Sequence, residues 1–237
     1  TDVALTNDGR YAIVASQEGS VVIWDVTTWR VVRTLTGHGG PVWTVAINRA
    51  GRLIISGSDD GSVKCWNFAT GQCVQTMSTP HNNVLAVALT SDERHIVAGY
   101  RDGAVRVWEA STTNLVHTFR GHSHSVFDVV TTPDGHVISG SVDGTMRIWA
   151  LEAVHDDEKN DEHHGAICGL TFLPEGRSLA TGSLDNTIQL RDADSGRVLR
   201  TFRGHERGVF DVVATSDGRY LVSASDDKTL RVWNVET

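Results

Sequence analysis

Apolar and polar positions in this chain alternate in short runs, broken at close intervals by Gly and Asp. The stretch from Gly204 to Trp233 shows the plan. It opens on Gly204-His205, passes through the mostly apolar segment Val209 to Ala214 and turns at Ser216-Asp217-Gly218-Arg219. It rises again from Tyr220 to Ser223, turns at Asp226-Asp227 and closes on Leu230-Arg231-Val232-Trp233. Each run is too short for an ordinary helix and is bounded by turn residues, which predicts three β-strands.

The closing position recurs as Trp24, Trp66, Trp108, Trp149, Arg191 and Trp233, at intervals of 42, 42, 41, 42 and 42 residues. A fourth strand follows at a fixed distance, as Val31 to Leu35, Cys73 to Met77, Leu115 to Phe119 and Val198 to Phe202. The equivalent segment Asp156 to Asn160 has no β-branched or aromatic residue, so a frayed edge or a loop is expected there. A period so regular predicts a stack or ring of one supersecondary unit.

Four strands in roughly 40–45 residues, with Gly-His near the start and an aromatic closing the third strand, resemble the blades of WD-repeat β-propellers. The resemblance covers essentially the whole chain and implies an all-β fold of six visible repeats, at approximately 1–35, 37–77, 81–119, 121–160, 163–202 and 204–237. The last repeat lacks its outer strand. Either the ring has six blades, one of them three-stranded, or it continues past Thr1 and Thr237. Rings of this family commonly have seven blades and the chain lacks an initiating Met, so a single propeller of seven or more blades is the favoured expectation.

Composition narrows the function. A formal charge of −8 argues against a general nucleic-acid surface and favours basic partner segments. No apolar run approaches the ~18 residues of a membrane span. Cys65, Cys73 and Cys168 lack metal-ligand spacing and read as reduced thiols of a cytoplasmic or nuclear protein. The cluster His155, Asp156, Asp157, Glu162, His163 and His164 reads as a charged loop ahead of a metal site. Asp59-Asp60-Gly61 reads as a turn, since the rest of a calcium loop is absent. No cofactor is expected.

Ser, His and Asp recur together in three repeats, each with the closing Trp. The sets are His38, Ser56, Asp60 and Trp66; His122, Ser139, Asp143 and Trp149; and His205, Ser223, Asp227 and Trp233. One such set would suggest an acyl-transfer triad. Three copies, with the hydroxyl in mid-strand, argue for structure instead. The family resemblance implies a hydrogen-bonded chain from indole to hydroxyl to imidazole to carboxylate. The other repeats depart from it, with Val14 and Glu18 in the first, Ala98 in the third and Arg191 for Trp in the fifth, so the second, fourth and sixth are expected to be the firmest.

Propeller strands are consumed by packing, which leaves recognition to loops. The resemblance implies partner contacts at two recurring positions. One lies just inside the first strand, at Trp43, Leu85, Phe127, Cys168 and Phe210. The other precedes the turn Asp, at Gln17, Asp59, Arg101, Val142, Leu184 and Asp226. Aromatics beside Asp59 and Asp226 suit a peptide with an apolar anchor and a Lys or Arg. Phosphomotif receptors of this family carry several arginines here, and Arg101 alone is so placed. The leading reading is a non-enzymatic scaffold for proteins or peptides. Its alternatives are a ubiquitin-ligase substrate receptor, a component of a large assembly and, last, a Ser-His-Asp hydrolase.

Overall fold

The computed structural model describes residues 1–151, 156–161 and 163–236, the middle stretch as backbone only. Among the described residues there is no helix, and the strands form six sheets. Sheet 1 holds β1 (Val3–Leu5), β2 (Tyr11–Ala15), β3 (Ser20–Asp25) and β4 (Arg30–Thr36). Sheet 2 holds β5 (Val42–Ile47), β6 (Leu53–Ser58), β7 (Ser62–Asn67) and β8 (Cys73–Ser78). Sheet 3 holds β9 (Val84–Leu89), β10 (His95–Tyr100), β11 (Val105–Glu109) and β12 (Leu115–Phe119). Sheet 4 holds β13 (Val126–Thr131), β14 (His136–Ser141), β15 (Thr145–Ala150) and β16 (Asp156–Asp161). Sheet 5 holds β17 (Ile167–Phe172), β18 (Ser178–Ser183), β19 (Thr187–Asp192) and β20 (Val198–Arg203). Sheet 6 is three-stranded, with β21 (Val209–Ala214), β22 (Tyr220–Ser225) and β23 (Leu230–Asn234).

Every sheet is a meander in which strands adjacent in sequence are paired. The chain divides into two compact units, Thr1–Thr118 and Phe119–Thr237. Within each unit the core lies between sheets. In the first, Ile13, Ile23 and Leu35 of sheet 1 pack with Val42, Val45, Ile54 and Trp66 of sheet 2. In the second, Ile188 and Leu190 of sheet 5 pack with Val209, Val212 and Leu221 of sheet 6. Middle strands such as β6 are therefore buried on both faces, which is why their sequences read as near-continuous apolar runs. Outer strands such as β8 are mostly exposed.

Polar straps fix how neighbouring sheets meet. Asp2 Oδ2 accepts the Val45 amide at 2.9 Å, and Asp128 Oδ2 accepts the Leu170 amide at 2.7 Å. From the outer strand, the Arg33 guanidinium donates to the Ala69 and Thr70 carbonyls, and Arg200 donates to the Val235 carbonyl at 3.0 Å. Gly169 marks the tightest approach of first strands, because a Cβ there would stand 2.8 Å from Asp211 Cα.

One sequence expectation needs correction. The acidic segment after Trp149 is a strand, β16, paired with β15, and not a frayed edge or loop. Its register slips beside Trp149, as the sheet 2 register slips beside Trp66. The ladder needs only main-chain donors and acceptors, which every residue of this segment supplies.

Trp29 is a local conflict. It lies in the turn between β3 and β4 with φ of 53° and is 77 % exposed. The equivalent positions in sheets 2 and 5 are Gly71 and Gly196, at φ of 76° and 65°. A bulky residue in left-handed backbone is strained by about 1–2 kcal/mol, while glycine adds unfolded-state freedom worth about 0.5–1 kcal/mol. Trp29→Gly is expected to stabilise the fold by up to about 1 kcal/mol. A higher denaturant midpoint would show it, and a lower one would mean that the indole contributes packing.

Candidate functional site

Three sheets build the same polar chain. In sheet 2 the Trp66 indole N–H donates to Ser56 Oγ at 2.8 Å. Ser56 Oγ lies 2.7 Å from His38 Nε2, and His38 Nδ1 lies 3.0 Å from Asp60 Oδ2. An ionised carboxylate can only accept, so the proton of the neutral ring sits on Nδ1 and Nε2 receives the Ser56 hydroxyl. Sheet 4 repeats the chain through Trp149, Ser139, His122 and Asp143, at 2.8, 2.8 and 3.1 Å. Sheet 6 repeats it through Trp233, Ser223, His205 and Asp227, at 2.8, 2.7 and 2.7 Å.

The carboxylate also gathers its own turn. Asp60 accepts the Ser62 hydroxyl at 2.6 Å, the Ser62 amide at 2.8 Å and the Gly39 amide at 2.8 Å. Burial opposes its charge, but these donors and His38 outweigh burial and bring its pKa down to about 2. Burial also lowers the His38 pKa, against the pull of Asp60. The loop entering the sheet is thereby tied to the hairpin between its second and third strands. Asp59-Asp60-Gly61 is that turn, with the Gly61 amide bonded to the Ser58 carbonyl.

This polarity resembles that of a nucleophile and its base, but the surroundings differ. Ser56, Ser139 and Ser223 are buried. Each hydroxyl oxygen already receives an indole N–H, which occupies one of its two lone pairs.

Sheets 3 and 5 satisfy the same volume differently. In sheet 3, with Ala98 in the hydroxyl position, His81 is exposed at φ of 65°. Buried Tyr100 packs under the Arg106 guanidinium, 4.3 Å from the ring centroid. Arg106 Nη2 meets Asp102 Oδ2 at 2.8 Å, and the Asp102 pKa falls to about 2 despite burial. In sheet 5, His163 keeps Thr181 and Asp185, both at 2.8 Å. Arg191 is fully buried in the place of Trp, donating to the Gly196 carbonyl at 3.1 Å and to Gln189 Oε1. Simple comparison of repeats exposes Ala98 and Arg191. The Tyr100 and Arg106 replacement lies at other positions of the repeat and shows only in space.

The candidate contact residues share a feature that the sequence did not reveal. Trp43, Leu85, Phe127, Cys168 and Phe210 each sit where the register of the first two strands slips. A bulge re-aims the side chain it carries away from the alternation of its strand. The amides of Asp59 and Asp226 bond the Pro41 and Gly208 carbonyls, which places the residue before the turn Asp at the same end of the sheet.

Within the first unit, the Trp43 indole donates to Asp59 Oδ1 at 2.6 Å, and Asn83 donates to the same oxygen. Leu85 is half-buried, while Arg101 and Gln17 are exposed. Within the second unit, Phe127 and Phe210 are 39 % and 51 % exposed. Leu184 is exposed against Gly208, and Val142 is half-buried. Asp226 pairs with Arg207 at 3.0 Å, both largely in solvent. Burial pushes the half-buried Cys168 thiol up to about 11. The charged cluster after Trp149 lies partly outside the described residues, at His155 and Glu162. Among the described residues no group of three or more His, Cys, Asp or Glu could hold a metal ion.

Comparison with known proteins adds four findings. A family profile described as "WD domain, G-beta repeat" matches residues 1–25, 29–67, 71–109, 113–150, 158–192 and 196–234. The chain is similar to nuclear distribution protein PAC1 of Arthroderma benhamiae, 30 % identical over 133 residues, which are 51 % of this chain and 29 % of that protein. Nuclear distribution protein PAC1-2 of Uncinocarpus reesii is 37 % identical over 133 residues, with the same shares. The U3 small nucleolar RNA-associated protein 15 homolog of Xenopus tropicalis is 43 % identical over 70 residues, 30 % of this chain and 13 % of that protein. The matched part of this chain thus spans less than a third of these relatives' length.

The His38 chain makes stability depend on pH. Folded His38 stays neutral below the ordinary value of 6.5, at which the unfolded imidazole takes up a proton. Its contribution is therefore complete above pH 6.5 and is lost as pH falls from there toward the depressed folded value. Asp60 adds a second loss as pH falls from 3.8 to about 2. Urea midpoints are expected to fall between pH 7.5 and 5.5. His38→Asn should flatten part of that slope while costing about 1–3 kcal/mol at pH 7.5 for the buried groups left unpaired. An unchanged slope would remove His38 as its source.

Proposed function

This chain belongs to the WD domain, G-beta repeat family, and from that premise we infer a protein-interaction scaffold whose partner contacts gather on the bulged residues of its loop face. The observation that carries the reading is the solvent-exposed pair Phe127 and Phe210. Each is an aromatic held on a rigid strand by a register slip and left uncovered. Aromatic residues, Phe among them, are enriched at the cores of protein interfaces.

Charge supports a basic partner segment. The chain carries −8 overall, and Asp59 and Asp226 stand beside bulged positions. The exposed Arg207–Asp226 pair is worth at most ~1 kcal/mol, so a partner Lys or Arg can exchange for Arg207 at little cost. An apolar anchor flanked by Lys or Arg fits this face best. Trp43 offers its ring with the indole N–H already committed to Asp59. The names of the relatives, nuclear distribution proteins and a small nucleolar RNA-associated protein, support an intracellular setting inside larger assemblies.

Two experiments bear on this reading. Phe210→Ala and Phe127→Ala are each expected to weaken capture of partner proteins about tenfold, the ~1.4 kcal/mol scale of an interface anchor, with Val74→Ala on an outer strand as control. Unchanged binding in both variants would dismiss the face. A fluorophosphonate probe is expected to leave Ser56, Ser139 and Ser223 unlabelled, and specific labelling of any of them would restore the hydrolase reading.

A further inference from the structure

The contact carboxylates Asp59 and Asp226 are held differently. Asp226 pairs with Arg207, and both side chains lie largely in solvent. Asp59 Oδ1 accepts the Trp43 indole N–H at 2.6 Å and an N–H of the Asn83 side-chain amide. A carboxylate oxygen has two lone-pair sites, and both sites of Oδ1 are filled. Among the described residues no donor is bonded to Oδ2, which reaches the surface of this half-buried residue.

The second donor on Oδ1 comes from a residue peculiar to sheet 3. Main-chain bonds define its position: the amide of the residue before the turn Asp meets the carbonyl of Pro41, Asn83, Ser125, Ala166 or Gly208. Of these, Asn83 alone carries a side-chain amide. It reaches from sheet 3 to the Asp59 turn of sheet 2, while its own carbonyl receives the Arg101 amide at 3.0 Å. Indole and amide together restrain the carboxylate and leave one oxygen for a partner. An arginine fork binds a carboxylate best through both oxygens, and one is already taken up. An ammonium is a compact point charge with three rotatable donors, and one oxygen suffices for it. Its methylene stem packs on apolar surface, which the half-buried Trp43 ring beside Asp59 supplies.

We propose that Asp59, positioned by Asn83 and Trp43, reads a lysine of the partner in preference to an arginine. This rests on the loop-face reading above and deepens it by naming the cation taken at Asp59. Arg101 stands on the next turn, tied to the same Asn83, and its charge disfavours a second cation on that side. Leu85, two residues beyond Asn83 and half-buried at its bulge, offers apolar surface there. The fitting segment is thus one lysine beside an apolar or acidic residue, and not a basic run.

A random peptide library displayed on phage and panned on the intact chain tests this. Recovered peptides are expected to carry a lysine whose change to alanine weakens binding about fivefold, the scale of one well-placed exposed ion pair. Arginine at that position should recover only part of the loss. Asp59→Asn keeps an acceptor for Trp43 and Asn83 but removes the charge, and should cost the same factor. Asn83→Ala frees a site on Oδ1, so the preference for the lysine peptide over its arginine form should shrink. A merely structural role would weaken both peptides alike. If Asn83→Ala disturbs the loop, Trp43→Phe removes the other donor and is expected to shrink the same preference. Equal binding of lysine and arginine forms, or a preference unmoved in both variants, would overturn the lysine site and leave the scaffold standing. A library without any peptide weakened by Asp59→Asn would overturn it too. The scaffold reading falls only if Phe127→Ala and Phe210→Ala also leave partner capture unchanged.

Discussion

The structure depends on one constraint: a flat sheet buried on both faces needs its polar loops held without access to water. A buried imidazole meets it. His38, His122 and His205 each stand between a strand hydroxyl and a turn carboxylate, and each joins the loop before a sheet to a hairpin within it. The orphaned polar groups of that corner would otherwise cost about 1–3 kcal/mol each. With the corner fixed, the bulge beside it is fixed, and so is the aim of the side chain that the bulge carries. The scaffold and the proposed recognition surface therefore share a cause.

Sheets 3 and 5 show that the same corner can be filled by other residues. Arg106 takes over the carboxylate of Asp102 while Tyr100 fills space, and His81 is left at the surface. Arg191 replaces an indole by donating to a carbonyl and an amide oxygen. Both solutions bury a guanidinium, whose charge must be met by close acceptors, whereas the indole needs only one. The price of such latitude is that a repeat can lose its signature residue without losing its sheet.

Much of this was legible along the chain because strand periodicity and turn chemistry are local. The hairpin at Asn7-Asp8-Gly9-Arg10, the strands from Tyr11 to Ala15 and from Val209 to Ala214, and the three-stranded last sheet all read directly from residue order. The tetrads could be named because each repeats at a fixed spacing. The acidic strand β16 could not, since composition describes side chains and its pairing is made by the backbone. Nor could the Trp43–Asp59 bond, in which one candidate contact residue engages another.

The sequence by itself determined the number of repeats, the strands within them and the identity of the polar chain, because each follows from periodicity and from hydrogen-bonding capacity within one repeat. Only the tertiary structure decided what each recurring position meets. Asp59 and Asp226 are equivalent in pattern and alike in chemistry, yet one receives the Trp43 indole and the Asn83 amide while the other pairs with Arg207 in solvent. Such a bond is a property of what lies across from a residue, and no residue carries that information in its own side chain.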